Sequence, residues 1–267
     1  MPEAAAEKTE SSAGGGEGRF LPTLPIYGAM GFWTLLYALG ALVPLLVSLP
    51  LPRRVRRKFC RVLIYYYGRL MIYVAAWPWV RVRVMNKEEF RGRAPGIWIF
   101  NHRSASDPFL MAACGMNNLV QAVNSWPMKL PFFGFFARLG GYLDITNLAY
   151  DELRAATAEL VADQTHLAAF PEGTRSGARR MGQFRSGVFK LALELGLPLY
   201  ACCIVGNENL PDRSFRFRTG VIRIAFLREF PAEEVRSFPN AFVLKNAVRE
   251  AILQGLEFLE EREDFES

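Results

Sequence analysis

His102 and Asp107 are the two residues of this chain whose types and spacing best suit proton transfer. Residues 96–100 form a short apolar run that predicts a buried strand, while Asp107 and Pro108 together favour the start of a helix. We therefore expect His102 in a strand-to-helix loop, with Asp107 at the entrance of the helix. A carboxylate beside an imidazole fixes the tautomer of the ring, which leaves its other nitrogen to take a proton from a hydroxyl.

Contact between these two side chains depends on the loop. Side chains five residues apart on one regular helix point about 140° apart, so His102 and Asp107 can meet only if the loop folds back over the helix start. The alternative is structural, because aspartate before proline is a common helix cap and a nearby histidine is often only a turn residue. A second polar turn favours the chemical interpretation.

This second turn follows a predicted strand at residues 166–170. It places Glu172, Thr174, Arg175 and Ser176 beside two glycines. An arginine fork with hydroxyls and exposed backbone amides is suited to binding phosphate. Alone, the same residues would equally make an ordinary turn.

In their order and separation, Asn101-His102-xxxx-Asp107 and Phe170-Pro-Glu-Gly-Thr-Arg175 resemble the glycerolipid acyltransferases of the 1-acylglycerol-3-phosphate acyltransferase type, in the lysophospholipid acyltransferase superfamily. Lys129-Leu-Pro-Phe-Phe-Gly134, followed by residues 140–144, looks like the second sequence block of that family. Residues 197–206 look like its fourth block, although Ala201 stands where the family usually has a second proline. The resemblance spans roughly residues 82–230.

The resemblance implies acyl transfer to the hydroxyl of a lysolipid. His102, oriented by Asp107, would act as general base, and the donor would be acyl-CoA or acyl carrier protein. The resemblance further implies that Glu172, Gly173, Thr174 and Arg175 bind the acceptor. Lys129, which precedes the apolar residues of the second block, is a further candidate for binding substrate through a phosphate, and a solvated surface lysine is the alternative. Neither a metal nor a bound cofactor is implied.

The end of the second block differs from many members, which carry an arginine thought to bind glycerol phosphate. This chain has Leu143-Asp-Ile-Thr146 instead, without a basic residue. Two acceptor classes therefore stay open. One is the lysophosphatidic acid type, and the other is a lysolipid or aminolipid that lacks a phosphomonoester.

The amino-acid composition limits which binding partners and which kinds of site are expected. The net charge of +6 favours anionic lipid headgroups, coenzyme A phosphates or an acidic carrier protein. Nucleic acid is not predicted, because the basic clusters adjoin apolar segments. Four cysteines without a CxxC pair and only two histidines argue against a zinc site and favour a reducing, cytosol-facing domain.

Two other classes of function remain alternatives. One is a thioesterase or lipase that uses Ser104 or Ser106, and the other is a non-catalytic lipid-binding protein.

The N-terminal part predicts membrane attachment. Residues 1–19 have a composition typical of disorder, and residues 20–51 carry no charged side chain. Residues 26–47 are long enough to cross the hydrocarbon layer, and six basic residues follow between Arg53 and Arg61. We expect residues 20–80 to form a membrane-anchoring helix pair, with the catalytic domain on the cytoplasmic side of a bacterial inner membrane. A helix pair packed in the core is the alternative.

Residues 81–267 are expected to form the catalytic domain. Predicted strands and helices alternate there, which indicates an α/β fold whose sheet is mixed and mostly parallel, with helices on both faces. Sites in such sheets form at the carboxyl ends of the strands, so both polar turns should meet at one edge. Four phenylalanines of the second block are expected in the core rather than in the wall of an acyl tunnel: Phe132, Phe133, Phe135 and Phe136.

Overall fold

The structure is a computed structural model that describes residues 23–208, 210–212 and 214–266. The segment predicted to be disordered, residues 1–19, lies outside the described residues. The predicted boundary between anchor and catalytic domain at residue 80 stays a prediction.

A seven-stranded sheet forms the centre of the molecule, in the order β1-β7-β6-β2-β5-β3-β4. Every neighbouring pair is parallel except β6 and β7, which are antiparallel. The predicted mixed, mostly parallel sheet is therefore confirmed. The strands are β1 (Val80–Met85), β2 (Ile97–Ile99), β3 (Leu119–Val123), β4 (Leu143–Asp144), β5 (His166–Ala169), β6 (Leu199–Val205) and β7 (Gly220–Phe230).

Helices cover both faces of the sheet, as predicted. They are α1 (Thr23–Ser48), α2 (Arg53–Leu70), α3 (Asp107–Leu110), α4 (Ser125–Met128), α5 (Pro131–Gly140), α6 (Tyr150–Ala162), α7 (Gly187–Leu195), α8 (Ala232–Ser237) and α9 (Ala241–Glu266), with a π-helical turn at Met71–Ala75 and a 3₁₀ turn at Lys87–Phe90. Because successive side chains of a strand point to opposite faces, Ile97 and Ile99 enter the core beneath α5–α9, while Trp98 enters the core beneath α3 and the π-helical turn.

Two predicted helices differ from the observed ones. The helix expected at residues 108–115 ends at Leu110 and continues as turns. The helix expected at residues 126–139 is divided into α4 and α5, because Pro131 starts a new helix and its predecessor Leu130 is held in an extended conformation. α7 ends at Gly196, whose φ of +61° closes the helix as predicted.

The helices α1 and α2 form an antiparallel pair. The Thr34 hydroxyl contacts the Tyr67 hydroxyl at 2.9 Å, and the Tyr37 hydroxyl donates to the Leu63 carbonyl at 2.7 Å. By length and composition, α1 is the one helix among the described residues that is long and apolar enough to cross a membrane, and only 11% of its most apolar window is buried.

Arg61 fastens α2 to the rest of the fold. Its guanidinium is buried and donates to the Gly140 carbonyl at 2.7 Å, to the Thr165 hydroxyl at 2.7 Å and to the Asn118 side-chain oxygen at 3.1 Å. Gly140 ends α5, so the positive charge also lies where the helix dipole favours it. The second helix of the predicted anchor is thus packed on the catalytic part of the chain.

Candidate active site

The two polar turns meet at the carboxyl ends of β2 and β5, which are neighbours in the sheet. His102 follows β2 by three residues, and its Nδ1 lies 2.7 Å from Oδ2 of Asp107, the first residue of α3. Since a carboxylate only accepts, Nδ1 carries the proton and Nε2 is the unprotonated nitrogen of the neutral ring. The loop folds back over α3, as the sequence required.

Asp107 is completely buried and surrounded by donors. Its Oδ2 also accepts from the backbone amides of Arg103 at 2.9 Å and Ser104 at 3.0 Å. Its Oδ1 accepts from the side-chain amide of Asn207 at 2.5 Å. The four donors fix the carboxylate, which in turn fixes the orientation of the His102 ring.

Glu172 joins the two turns. Its Oε1 accepts from the His102 backbone amide at 2.6 Å, and its Oε2 accepts from the Gly182 backbone amide at 2.7 Å. Burial raises the pKa of Glu172, and these two backbone hydrogen bonds offset only part of that rise. Both oxygens are thus used internally, and contact between Glu172 and substrate stays a prediction.

Further backbone contacts hold the turns together. The Ser176 amide donates to the His102 carbonyl at 2.9 Å, and the Gly177 amide donates to the Arg103 carbonyl at 3.1 Å. The Phe170 ring stacks at a tilt on the His102 imidazole, with 4.8 Å between the ring centroids. The predicted meeting of the two motifs is therefore observed as direct contact.

A cavity of about 450 Å³ opens beside His102. Three predicted substrate-binding residues line it, namely Gly173, Thr174 and Arg175. Gly173 has a φ of +71° and is held by a hydrogen bond from the Asn124 side chain to its carbonyl. Lys129, which was also predicted to bind substrate, is exposed at the end of α4 and is not among the residues that line this cavity.

The end of the second sequence block forms another part of the wall. Ile145 lines the cavity with an apolar side chain. The neighbouring Asp144 accepts hydrogen bonds from Ser125, the Thr146 amide and Asn147. Burial raises the pKa of Asp144 somewhat, but these hydrogen bonds outweigh it and the net pKa is lowered.

A second cavity of about 430 Å³ lies on the other side of α3. Its lining is almost entirely apolar and comes from α1, the end of α2, β1, α3 and the segment between β6 and β7. Ala105 and Trp126 line both cavities. Two of the four phenylalanines, Phe133 and Phe136, are core residues as predicted, and none of the four lines this second cavity.

Sequence reasoning missed two polar residues of the site. Asn207 follows the fourth block directly, which is the only signal the sequence offers for it. Arg103 is buried next to His102 and makes ion pairs with Glu208 at 3.5 Å and Glu260 at 2.6 Å. Nothing in the sequence near Arg103 indicates partners on two distant elements.

Metal-binding chemistry has no candidate in the part of the chain that the structure describes. No group of three or more histidine, cysteine, aspartate or glutamate side chains is gathered there as a metal site would require. All four cysteines are free and buried. The absence of a cofactor stays a prediction.

Residues 81–205 match the family model described as Acyltransferase, and this segment contains both turns and all but the last residue of the fourth block. Over this segment the chain is similar to acyltransferases. The predicted resemblance is thereby confirmed for the segment that carries the site.

The curated proteins that this chain resembles are distant from it in sequence. A 1-acyl-sn-glycerol-3-phosphate acyltransferase of Limnanthes alba is 25% identical over 188 residues, covering 60% of this chain and 66% of that protein. The enzyme of the same name from Salmonella typhimurium is 26% identical over 149 residues, covering 52% of this chain and 60% of that protein. The chain thus spans less than two thirds of the length of these two relatives.

The fold of this chain has a solved counterpart. The crystal structure of the 1-acyl-sn-glycerophosphate (LPA) acyltransferase from Thermotoga maritima superposes with a TM-score of 0.74 at 21% identity, covering 89% of this chain and 96% of that one. The two proteins therefore share a fold.

Proposed function

We propose that this chain transfers a fatty acyl group from a thioester donor, acyl-CoA or acyl carrier protein, to the hydroxyl of a lysolipid. The observation that carries the proposal is the His102–Asp107 contact at 2.7 Å on the wall of a substrate-sized cavity. The names of the relatives favour a 1-acylglycerol-3-phosphate acceptor.

The reaction needs no acyl-enzyme. Nε2 of His102 takes the proton of the lysolipid hydroxyl, whose oxygen attacks the thioester carbonyl carbon. The carbon–sulfur bond then breaks, and the thiolate leaves with the proton from the imidazolium. Asp107 stabilises the imidazolium while it exists. Such proton transfer contributes about 10²- to 10⁴-fold, so positioning of both substrates must supply much of the remaining acceleration.

The two cavities suit the two ends of lipid substrates. The apolar cavity beside α3 would hold an acyl chain, because it is lined by hydrocarbon side chains and adjoins the His102 cavity at Ala105. The His102 cavity would hold the polar part of the acceptor. Arg175, half-buried with its guanidinium 5.0 Å from the Phe215 ring centroid, would contact a phosphate there.

A lysolipid without a phosphomonoester is the second acceptor class. The apolar Ile145 on the cavity wall favours it, because a doubly charged phosphate gains nothing from that side chain. The two classes separate when acceptors with the same acyl chain but different headgroups are compared.

We propose that the protein works at the surface of a membrane, with its catalytic part on the cytoplasmic side. One side of α1 packs along α2, while large apolar side chains on its other side are exposed, among them Phe32, Leu39 and Val47. The basic residues at the start of α2 would attract anionic headgroups. Because α1 is packed along the protein in this way, we expect it to lie in the membrane surface rather than to cross the bilayer.

The test of the function uses the purified full chain with vesicles, a labelled fatty acyl-CoA or acyl carrier protein, and a panel of lysolipids. We expect thiol release that depends on the acceptor, together with a labelled diacyl product. His102→Gln should lower the rate at least about 100-fold. The chain offers a matched control in His166→Gln, because His166 lies at the opposite end of β5 and contacts Trp98 and Tyr200.

Other outcomes would point to other functions. Thiol release without an acceptor would indicate a thioesterase, and full activity of His102→Gln would remove the proposed base. A serine nucleophile has little structural support, because the Ser104 hydroxyl donates to the Pro211 carbonyl and the Ser106 hydroxyl contacts that of Ser104.

A further inference from the structure

Asn207 contacts the catalytic carboxylate from a position 100 residues further along the chain. Its side-chain Nδ2 lies 2.5 Å from Oδ1 of Asp107, and both side chains are completely inaccessible to solvent. A hydrogen bond to a buried charged acceptor is among the stronger ones in proteins, because neither group can turn to water instead.

Hydrogen bonds between the ends of two strands fix the position of Asn207. Asn101, just before His102, bonds both backbone groups of Ile204, donating to the carbonyl at 2.9 Å and accepting from the amide at 2.7 Å. This pair locks the end of β2 to the end of β6. Gly206, at a φ of +76°, then turns the chain so that Asn207 follows beside Asp107.

The two oxygens of Asp107 are held very differently. Oδ2 has three donors, which are His102 Nδ1 and the amides of Arg103 and Ser104. Among the described residues, Asn207 is the donor found for Oδ1. Without the Asn207 amide, this buried oxygen would lose the donor that the described residues provide, and the carboxylate would be free to rotate about its Cβ–Cγ bond.

The other half of the Asn207 amide supports a specific role. Its Oδ1 is buried and has no hydrogen-bond partner within the described parts of the chain. The reverse orientation of the amide would place that oxygen against the carboxylate, which excludes it. A buried oxygen without a hydrogen-bond partner lowers the stability of the fold. Asparagine is therefore a poor choice at this position for packing, and its use is explained by the hydrogen bond that it donates.

We propose that Asn207 is a positioning residue of acyl transfer, which holds the Asp107 carboxylate in the orientation that lets it position His102. The proposal rests on the proposed function for its kinetic consequences. Its structural part, the dependence of the His102 hydrogen bond on Asn207, stands apart from any assay of activity.

The test replaces Asn207 with leucine, which has a similar size and no donor. We expect kcat to fall about 10- to 100-fold at pH 7 with little change in the KM of either substrate, and the acid limb of the pH–rate profile to move. Asn207→Asp is the second variant. Its introduced carboxyl can share a proton with Asp107, so its activity should fall as the pH is raised.

Nuclear magnetic resonance gives a readout that needs no substrate. The full chain has two histidines, so in histidine-labelled protein the Nδ1 proton of His102 can be observed with His166 as internal reference. We expect the downfield signal of the His102–Asp107 hydrogen bond in the parent and its loss or broadening in Asn207→Leu, while the His166 signals stay unchanged.

Asn118→Leu is the matched control, because Asn118 is also a hydrogen-bonded asparagine but lies at the opposite end of the sheet, between Arg61 and Gln164. It should lower the melting temperature without moving the pH profile or the His102 signal. Parent-like kinetics and an intact His102 signal in Asn207→Leu would overturn the proposal, as would losses that merely follow the unfolded fraction. If the parent transfers no acyl group, the proposed function fails, and the His102 signal alone decides the role of Asn207.

Discussion

Replacing Glu172 with glutamine separates two roles for this residue. The carboxylate accepts two backbone hydrogen bonds, from His102 at 2.6 Å and from Gly182 at 2.7 Å. Glutamine keeps one acceptor and turns an amide donor toward the other backbone N–H. One buried N–H is then left unsatisfied, which costs about 1–3 kcal/mol.

The change should be visible in thermal unfolding of the full chain. For a chain of this size, 1 kcal/mol corresponds to about 2–4 °C, so we expect the melting temperature of Glu172→Gln to fall by about 2–12 °C. The rate should fall as well, because the His102 backbone loses its anchor, while the KM for the acceptor should not change. Glu152→Gln is the control, since Glu152 also accepts a backbone amide but lies at the exposed start of α6.

The opposite result would refute the structural assignment. If Glu172→Gln unfolds at the parent temperature and raises the KM for the acceptor, Glu172 contacts substrate, as the sequence predicted.

The pH dependence of stability gives a further check on Glu172. Its pKa is raised in the folded state, so the folded protein holds this proton more tightly than the unfolded chain. The contribution of Glu172 to the free energy of unfolding is therefore largest at low pH. It declines as the pH rises from about 4.3, the ordinary glutamate value, through the raised folded-state pKa. Glu172→Gln should lack this decline in urea titrations, and an identical slope in both proteins would contradict it.

Three other substitutions test the framework around the site. Arg61→Met should lower the free energy of unfolding by about 3 kcal/mol in urea titrations, because the groups that accept hydrogen bonds from the buried Arg61 guanidinium lose their donor. Arg57→Met breaks a more exposed ion pair and should lower the free energy of unfolding by less than about 1 kcal/mol. Gly173→Ala should lower the free energy of unfolding by about 1–2 kcal/mol in the same titrations, because a φ of +71° is unfavourable for alanine and the new Cβ would lie 2.8 Å from Nε of Arg185. Gly187→Ala is its control and should be neutral, because the added Cβ would meet no atom within 4 Å. Leu39→Asp should weaken vesicle flotation without lowering the melting temperature, because that side chain is 57% exposed; unchanged flotation would argue against membrane contact by α1.

The sequence was informative wherever local chemistry decides the structure. The contact between His102 and Asp107 could be predicted because Asp107 and Pro108 mark a helix start. The short loop from His102 to Asp107 can adopt few conformations. The alternation of strands and helices likewise predicted the sheet, since short apolar runs buried on both faces are typical of parallel strands.

The sequence was uninformative where partners are distant. Glu172 was predicted to bind substrate because it stands in a polar turn, whereas its hydrogen bond with the Gly182 amide could not be predicted, since only the folded turn brings that amide near. Asn207 and Arg103 were missed for the same reason. Their partners lie 100 or more residues away, and no periodicity or spacing relates such positions.

The placement of α1 links two events that are usually treated as independent. Tyr27, Met30, Gly31 and Thr34 of this helix form part of the wall of the apolar cavity, while the opposite flank of the same helix is the surface proposed to meet lipid. Thermodynamic reciprocity then requires that whatever lipid contact does to the affinity for an acyl chain, a bound acyl chain does to the affinity for the bilayer. Any such coupling would make the membrane affinity of the protein depend on whether the apolar cavity is occupied.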